Sequence, residues 1–394
     1  MSVYMDFAAT SAIRPDPVVD AVAGFLRAVG ATPGRGAYGR ATEAGRVALR
    51  CRTRLARLFG IPGDPGRIVF THNATHALNI ALNGTLRRGD AVVVSAFDHN
   101  AVLRPVRALE RERGVEVRMI DGAPDGSLDL DQAARAIMGA RVVAINGVSN
   151  VLGTRLPVEV LAGMARDAGA LVLLDAAQMA GHLPLDVQAM SVDMLAITGH
   201  KGLLGPQGIG ALWIRDGVEV EPLLRGGTGG DSRMEDMPRP LPDRLEAGTL
   251  NSPGIAGLEA GAAWLEDAGV ARLHERLDAL KHRLIDGLVA LDGITVLSPG
   301  TPGGAPIVTF VADSAEPGEV AGRLDRLGIA CRAGLHCAPL AHRVLGTPET
   351  GAVRMSLGWC STTDDVDASL RAVERSLAGP VTNGDSKTQR MQDG

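Results

Sequence analysis

The chain has 394 residues, 45% of them hydrophobic and 22% charged, with a net charge of −5 and both signs interspersed. A chain of this kind buries a sizeable core, in two or three domains or in one large α/β unit with a satellite. The charge balance gives no reason to expect nucleic acid or an anionic membrane as partner, and 3% aromatic residues leave little for base stacking.

The first residues, Met1-Ser-Val-Tyr-Met-Asp-Phe7, lack a charged segment followed by an apolar one, so no secretory signal is expected. Short aliphatic runs then recur: Arg67–Phe70, Ala91–Ser95, Val115–Ile120, Val142–Ile145, Ala170–Leu174, Met194–Ile197 and Ile209–Ile214. Amphipathic stretches such as Val102–Arg113 and Pro157–Ala168 separate several of them, which predicts an α/β fold with a mostly parallel sheet covered on both faces. The last two runs are too close for an intervening helix, which allows an antiparallel final strand.

Beyond Asn251-Ser-Pro-Gly254 the texture changes. Ile255–Val289 reads as one long helix, with Leu273, Leu277, Leu280 and Leu284 at helical spacing. Strand-like Ile294–Leu297, Ile307–Val311 and Val353–Leu357 and a helix over Glu316–Leu327 follow, the pattern of a smaller α+β domain. The polar segment 379–394 is expected to be a disordered tail. No apolar run approaches the roughly 20 residues a membrane helix needs. Cys51, Cys331, Cys337 and Cys360 form no C-x-x-C pair, so a reduced, cytoplasmic protein without a disulfide framework or metal site is expected.

Gly34-Arg-Gly-Ala-Tyr-Gly39 has the G-x-G-x-x-G spacing of a dinucleotide loop. That loop must follow a strand and open a helix, so that helix amides face a pyrophosphate. Here it follows an amphipathic helix over Pro17–Val29, and no acidic residue fits the end of a second strand. The dinucleotide reading fails on context.

A different set of residues carries chemistry. Lys201 follows the strand Met194–Ile197 in a glycine-rich turn, where an amine can meet an aldehyde cofactor; alone, such a lysine is a loop residue. Asp175 ends the hydrophobic run Ala170–Leu174, at the strand edge where α/β sites form. A buried carboxylate there keeps a pyridine nitrogen protonated, and a helix cap is its plainer role. Gln178 reaches the same space. His99 follows the strand Ala91–Ser95 and offers a flat ring or a proton shuttle. Asn73-Ala74-Thr75 precedes a helix and can cradle a phosphate or simply cap.

Together these blocks resemble the cysteine desulfurases of the class V aminotransferase group, within the fold-type I pyridoxal-phosphate enzymes. The resemblance runs from residue 4 to residue 377. It is carried by Asp6-Phe-Ala-Ala-Thr-Ser11, Phe70-Thr-His-Asn-Ala-Thr-His-Ala77, Asp98-His-Asn-Ala-Val102, Ser149-Asn-Val-Leu-Gly-Thr154, Asp175-Ala-Ala-Gln178, Thr198-Gly-His-Lys201, Glu246-Ala-Gly-Thr249 and Arg332-Ala-Gly-Leu-His-Cys337. It implies a large, mostly parallel seven-stranded sheet domain over 15–254 and a small C-terminal domain over 255–378, with segment 1–14 packed against the latter.

It also implies roles. Lys201 holds pyridoxal 5′-phosphate as a Schiff base, His99 stacks on the ring, Asp175 binds the pyridinium nitrogen and Gln178 the ring oxygen. Ala74, Thr75, Thr198 and His200 hold the phosphate, with Thr249 arriving from a second subunit of a homodimer. Asn150, Arg354 and Arg332 bind substrate, the arginines offering the fork a carboxylate prefers. The loop Arg332–Pro339 is similar to that of Suf-type enzymes, whose cysteine, here Cys337, takes sulfur from L-cysteine as a persulfide for an acceptor protein. The other three cysteines read as structural.

Phe7, Ala74 and Leu250 depart from the common pattern, and Ala333–His342 with Thr347 resembles a less characterised desulfurase-like subgroup. A selenocysteine lyase or another C–S lyase shares every cofactor residue; a transaminase has no use for Cys337.

Overall fold

The computed structural model describes residues 2–34, 36–229 and 233–377, so the tail expected at 379–394 lies outside the described residues. The strands, in chain order, are β1 (Val3–Tyr4), β2 (Ile68–Thr71), β3 (Ala91–Ser95), β4 (Glu116–Ile120), β5 (Val142–Asn146), β6 (Leu171–Asp175), β7 (Met194–Thr198), β8 (Gly210–Ile214), β9 (Ile294–Val296), β10 (Ile307–Ala312), β11 (Ile329–Ala330), β12 (Arg332–Gly334) and β13 (Ala352–Ser356). Strands β2 to β8 form one seven-stranded sheet in the order β2-β8-β7-β6-β5-β3-β4.

Every pairing in that sheet is parallel except those of β8, which runs antiparallel to β2 and β7. Six of the strands are buried along nearly their whole length, as expected of a sheet covered on both faces; edge strand β4 is the half-exposed exception. Parallel strands aim their carboxyl ends at one edge of the sheet. The chain therefore leaves β6 and β7 at adjacent points, with Asp175 in register with Ala196.

The long helix read over Ile255–Val289 is two helices, Ser252–Ala268 and Val270–Val289. The break is Gly269, whose φ of +80° no leucine spacing could reveal and which helices do not continue through. Ser252–Ala268 packs on the helices Asp16–Gly24 and Gly39–Leu58, beside the large sheet. Val270–Val289 packs on Thr363–Leu377 and β9 instead. The second unit is an antiparallel sheet, β12-β13-β10-β9, backed by the helices Val270–Val289, Pro317–Arg326 and Thr363–Leu377. The first residues of the chain join this unit: β1 pairs in parallel with β11, and Asp6 bridges to Ser356 on β13.

The stretch Gly34–Gly39 follows a π-helical turn, Phe25–Val29, rather than a strand, which agrees with rejecting a dinucleotide loop. Among the described residues no helix is long and apolar enough to cross a membrane.

One buried ion pair ties the segment 242–249 to the sheet. Arg52 donates to both Glu246 oxygens at 2.7 and 2.8 Å, stacks over Phe70 and also donates to the Ile68 carbonyl. Glu246 Oε1 accepts from the Phe70 amide at 2.6 Å. Glu246→Ala leaves the Arg52 charge buried and unpaired, so the unfolding free energy should drop by about 3–5 kcal/mol in urea titrations. A loss under about 1 kcal/mol would mean that the pair is solvated.

Candidate active site

A cavity of about 410 Å³ opens at the carboxyl edge of the large sheet and is closed from the far side by the second unit. Lys201, Asp175, Gln178, His99, Ala74, Thr75, Thr198 and His200 line it from the large sheet and its loops. Asn150 does so from the loop after β5, and Arg332, Cys337 and Arg354 from the second unit. Of the candidate residues only Thr249 is elsewhere in its own chain, exposed and outside this lining.

Lys201 sits in the turn after β7, which can form because two chain segments cross there without side chains. A Cβ on Gly202 would strike the Ala180 carbonyl, and one on Gly181 the Gly202 carbonyl. Burial pulls the Lys201 ammonium down to about 8, with Asp175 opposing the shift. Burial likewise raises the Asp175 carboxyl, countered by the Ala177 amide that donates to it at 3.0 Å and by Lys201. Behind it lies Asp98, a buried carboxyl pushed up to about 7 by desolvation, with Asp175 adding to the shift.

His99 caps the helix Asn100–Arg113: its Nδ1 accepts the Ala101 amide at 2.9 Å. Burial, then the Lys201 charge, lower its pKa to about 4, so the ring is neutral and its proton resides on Nε2. His200 is lowered to about 4 in the same way. At the other wall Asn73 caps the helix Ala74–Thr85 by accepting from His76, which leaves the amides of the first turn as donors toward the cavity.

Several polar atoms here are buried without any partner: Gln178 Oε1, Thr198 Oγ1, His200 Nδ1, Asn150 Oδ1 and Arg354 Nε. Leaving such groups unsatisfied costs roughly 1–3 kcal/mol each, and their concentration at one cavity marks a site shaped for a polar guest. Gln178 is oriented by donating to the Ala8 carbonyl at 2.9 Å.

The loop bearing Cys337 is held from the large-sheet side. Asn150 Nδ2 donates to the His336 carbonyl at 2.7 Å, and the Asn100 amide to the Cys337 carbonyl at 2.8 Å. Both His336 (φ +49°) and Cys337 (φ +57°) adopt left-handed backbone, unusual for residues with a Cβ. A hydrogen-bonded chain lies beneath this loop: His336 Nδ1 meets His342 Nε2 at 3.3 Å, and His342 Nδ1 meets the Thr347 hydroxyl at 2.9 Å. Burial pushes up the thiols of Cys51 and Cys331, the latter to about 12, whereas Cys337 is exposed at the cavity mouth.

The role of Asp6 is not legible in the sequence. In the fold its carboxylate joins Arg332 and Arg354, partners 326 and 348 positions away, for which no local pattern exists.

The chain matches the model of the family described as aminotransferase class-V over residues 3–368. It is 36% identical over 373 residues to a probable cysteine desulfurase of Methanothermobacter thermautotrophicus, covering 92% of each chain. To a probable cysteine desulfurase of Pseudomonas aeruginosa it is 37% identical over 385 residues, covering 95% of this chain and 93% of the relative. A cysteine desulfurase of Thermococcus onnurineus, solved in its apo form, superposes with a TM-score of 0.89 at 34% identity, covering 96% and 95% of the two chains. One from Escherichia coli, in an S-sulfonic acid form, does so at 0.86 and 29%, with the same coverage. With its seven-stranded α/β sheet and C-terminal unit matched along nearly the whole length, the chain belongs to the cysteine desulfurase family of the class-V aminotransferases.

Proposed function

We propose that this chain binds pyridoxal 5′-phosphate in the cavity and removes sulfur from L-cysteine, giving L-alanine and a persulfide on Cys337. The observation that carries this reading is that Lys201, Asp175 and Cys337 face one cavity of about 410 Å³. The unpartnered atoms support the fit of the cofactor. A phosphate can take the first-turn amides at Ala74 and Thr75 with Thr198 Oγ1 and His200, while a ring can meet Asp175 and Gln178. When bound, the cofactor supplies an electron sink that makes the Cα proton of an amino acid removable.

The remaining chemistry belongs to the chain. Asp175 holds a proton on a ring nitrogen by presenting a buried carboxylate. The His99 ring, capping its helix, is neutral and keeps a proton on Nε2. Asn150 and Arg354 fix the substrate carboxylate, and the second unit shuts out water. Lys201 Nζ, neutral above about pH 8, takes the Cα proton. The Cys337 thiolate attacks the substrate sulfur: an S–S bond forms as the Cβ–S bond breaks, Cβ takes a proton to become the methyl of alanine, and Lys201 returns a proton to Cα.

The exposed position of Cys337 lets an acceptor protein collect the sulfur, as in Suf-type enzymes, whose loop it resembles. Thr249 serves the phosphate of a second subunit in a homodimer; its exposure on its own chain supports that arrangement.

Incubation of the protein with L-cysteine and a thiol reductant should produce alanine, and the absence of alanine would overturn the reading. Cys337→Ala should keep the cofactor's visible absorbance yet lose sulfur delivery by about a hundredfold or more; delivery at the wild-type rate would remove Cys337 from the mechanism. The Lys201 shift also has a signed consequence. Only the neutral amine bonds a carbonyl carbon, so cofactor uptake by the apoprotein should slow about tenfold per unit as pH drops below about 8, and level off above it. Stopped-flow absorbance checks this, and an uptake rate still rising toward pH 10 would contradict the lowered value.

A further inference from the structure

The carboxylate-binding end of the cavity places two arginines directly across from each other, Arg332 on β12 and Arg354 on β13. Like charges so paired repel, and Arg354, only 3% exposed, has little water to screen it. Asp6 lies between them. Its Oδ2 accepts from Arg332 Nε at 3.1 Å and from Nη2 at 3.0 Å, and its Oδ1 accepts from Arg354 Nη2 at 3.1 Å.

The Asp6 backbone is held as firmly as its side chain. Its carbonyl accepts from the Ala9 amide and the Tyr4 hydroxyl, both at 3.1 Å, just beyond the β1–β11 pairing. Two positive charges and one negative leave a single surplus charge at this end of the cavity. That surplus matches one α-carboxylate. Arg354 keeps a donor for it, since Nη1 is engaged by the Asn150 carbonyl at 3.0 Å and Nη2 by Asp6 while Nε has no partner. Arg332, half-exposed on a long flexible stem, is the group that could greet a second acidic function, and Asp6 occupies it.

We infer that Asp6 is a specificity-determining residue that restricts this cavity to amino acids carrying one carboxylate. The inference rests on the reading of the cavity as an amino-acid site. Asp6 is not among the residues that line the cavity, so it acts through the two arginines. In Asp6→Asn the surplus rises to two and Arg332 is released, so an acidic side chain gains a partner while a small neutral one gains none.

The test compares binding of L-alanine and L-aspartate, which differ by one carboxylate, to the cofactor-loaded protein at low ionic strength by titration calorimetry. The wild type should prefer L-alanine. Asp6→Asn should narrow that preference by about tenfold, in keeping with the strength of a charge pair near a protein surface. The double variant Asp6→Asn/Arg332→Gln, which restores the single surplus charge, should bring the preference back. A merely structural Asp6 would weaken both ligands together and would not be rescued by losing an arginine. An unchanged preference in Asp6→Asn, or no recovery in the double variant, overturns the inference. If Asp6→Asn does not fold, Arg332→Gln alone decides: the preference for L-alanine should widen, and an unchanged ratio overturns the inference. Failure of both L-alanine and L-cysteine to bind the wild type overturns the amino-acid reading itself, and the inference with it.

Discussion

Parallel pairing of β5, β6 and β7 is the constraint on which the site depends. Strands that run the same way deliver their last residues to the same edge, and loops from that edge can converge. Asp175 is the last residue of β6, Thr198 the last of β7, and Lys201 lies one turn beyond. Had β7 been antiparallel to β6, its terminal loop would have emerged at the opposite edge, a strand's length from Asp175. The buried aliphatic strands thus fix the spacing of polar groups that they never touch.

The second unit completes what the sheet begins. It contributes two arginines, which its antiparallel ladder places on neighbouring strands, and an exposed thiol in the turn after β12. The cavity is electrostatically divided. One end has helix amides and neutral histidines lowered to about 4; the other has two guanidinium groups and one carboxylate. In the function proposed above, an anionic head group and an anionic substrate end would meet opposite walls, with the lysine between.

The parts of this arrangement written in local pattern were legible in the sequence. Asp175 shows itself as a polar residue terminating an apolar run, and Lys201 as a cation in a glycine-rich turn after another such run. Most of the seven strands were recognisable because strands buried on both faces are continuously hydrophobic; the half-exposed edge strand β4 is the exception. Gly269 defeated the reading of the helix after residue 254, because leucine spacing persists across the break while a left-handed glycine leaves no periodic mark. Asp6 was invisible for a different reason. Its partners are set by how two units and the first strand come together, and no spacing rule reaches across more than 300 residues. His342 and Thr347 stood out as unusual letters, and their meaning as a hydrogen-bonded chain under His336 needed the fold.

The left-handed backbone at His336 and Cys337 couples the thiol to the relation between the two halves of the molecule. Such a conformation persists in residues with a Cβ only while outside contacts hold it, and here those contacts come from Asn100 and Asn150, across the cleft. Separating the halves would cut both tethers at once and let the loop relax toward ordinary geometry. Residence of the Cys337 thiol at the cavity mouth is then tied to the contact between the two halves. Any substitution that loosens the contact between the halves would thus reach the Cys337 thiol without touching its own loop.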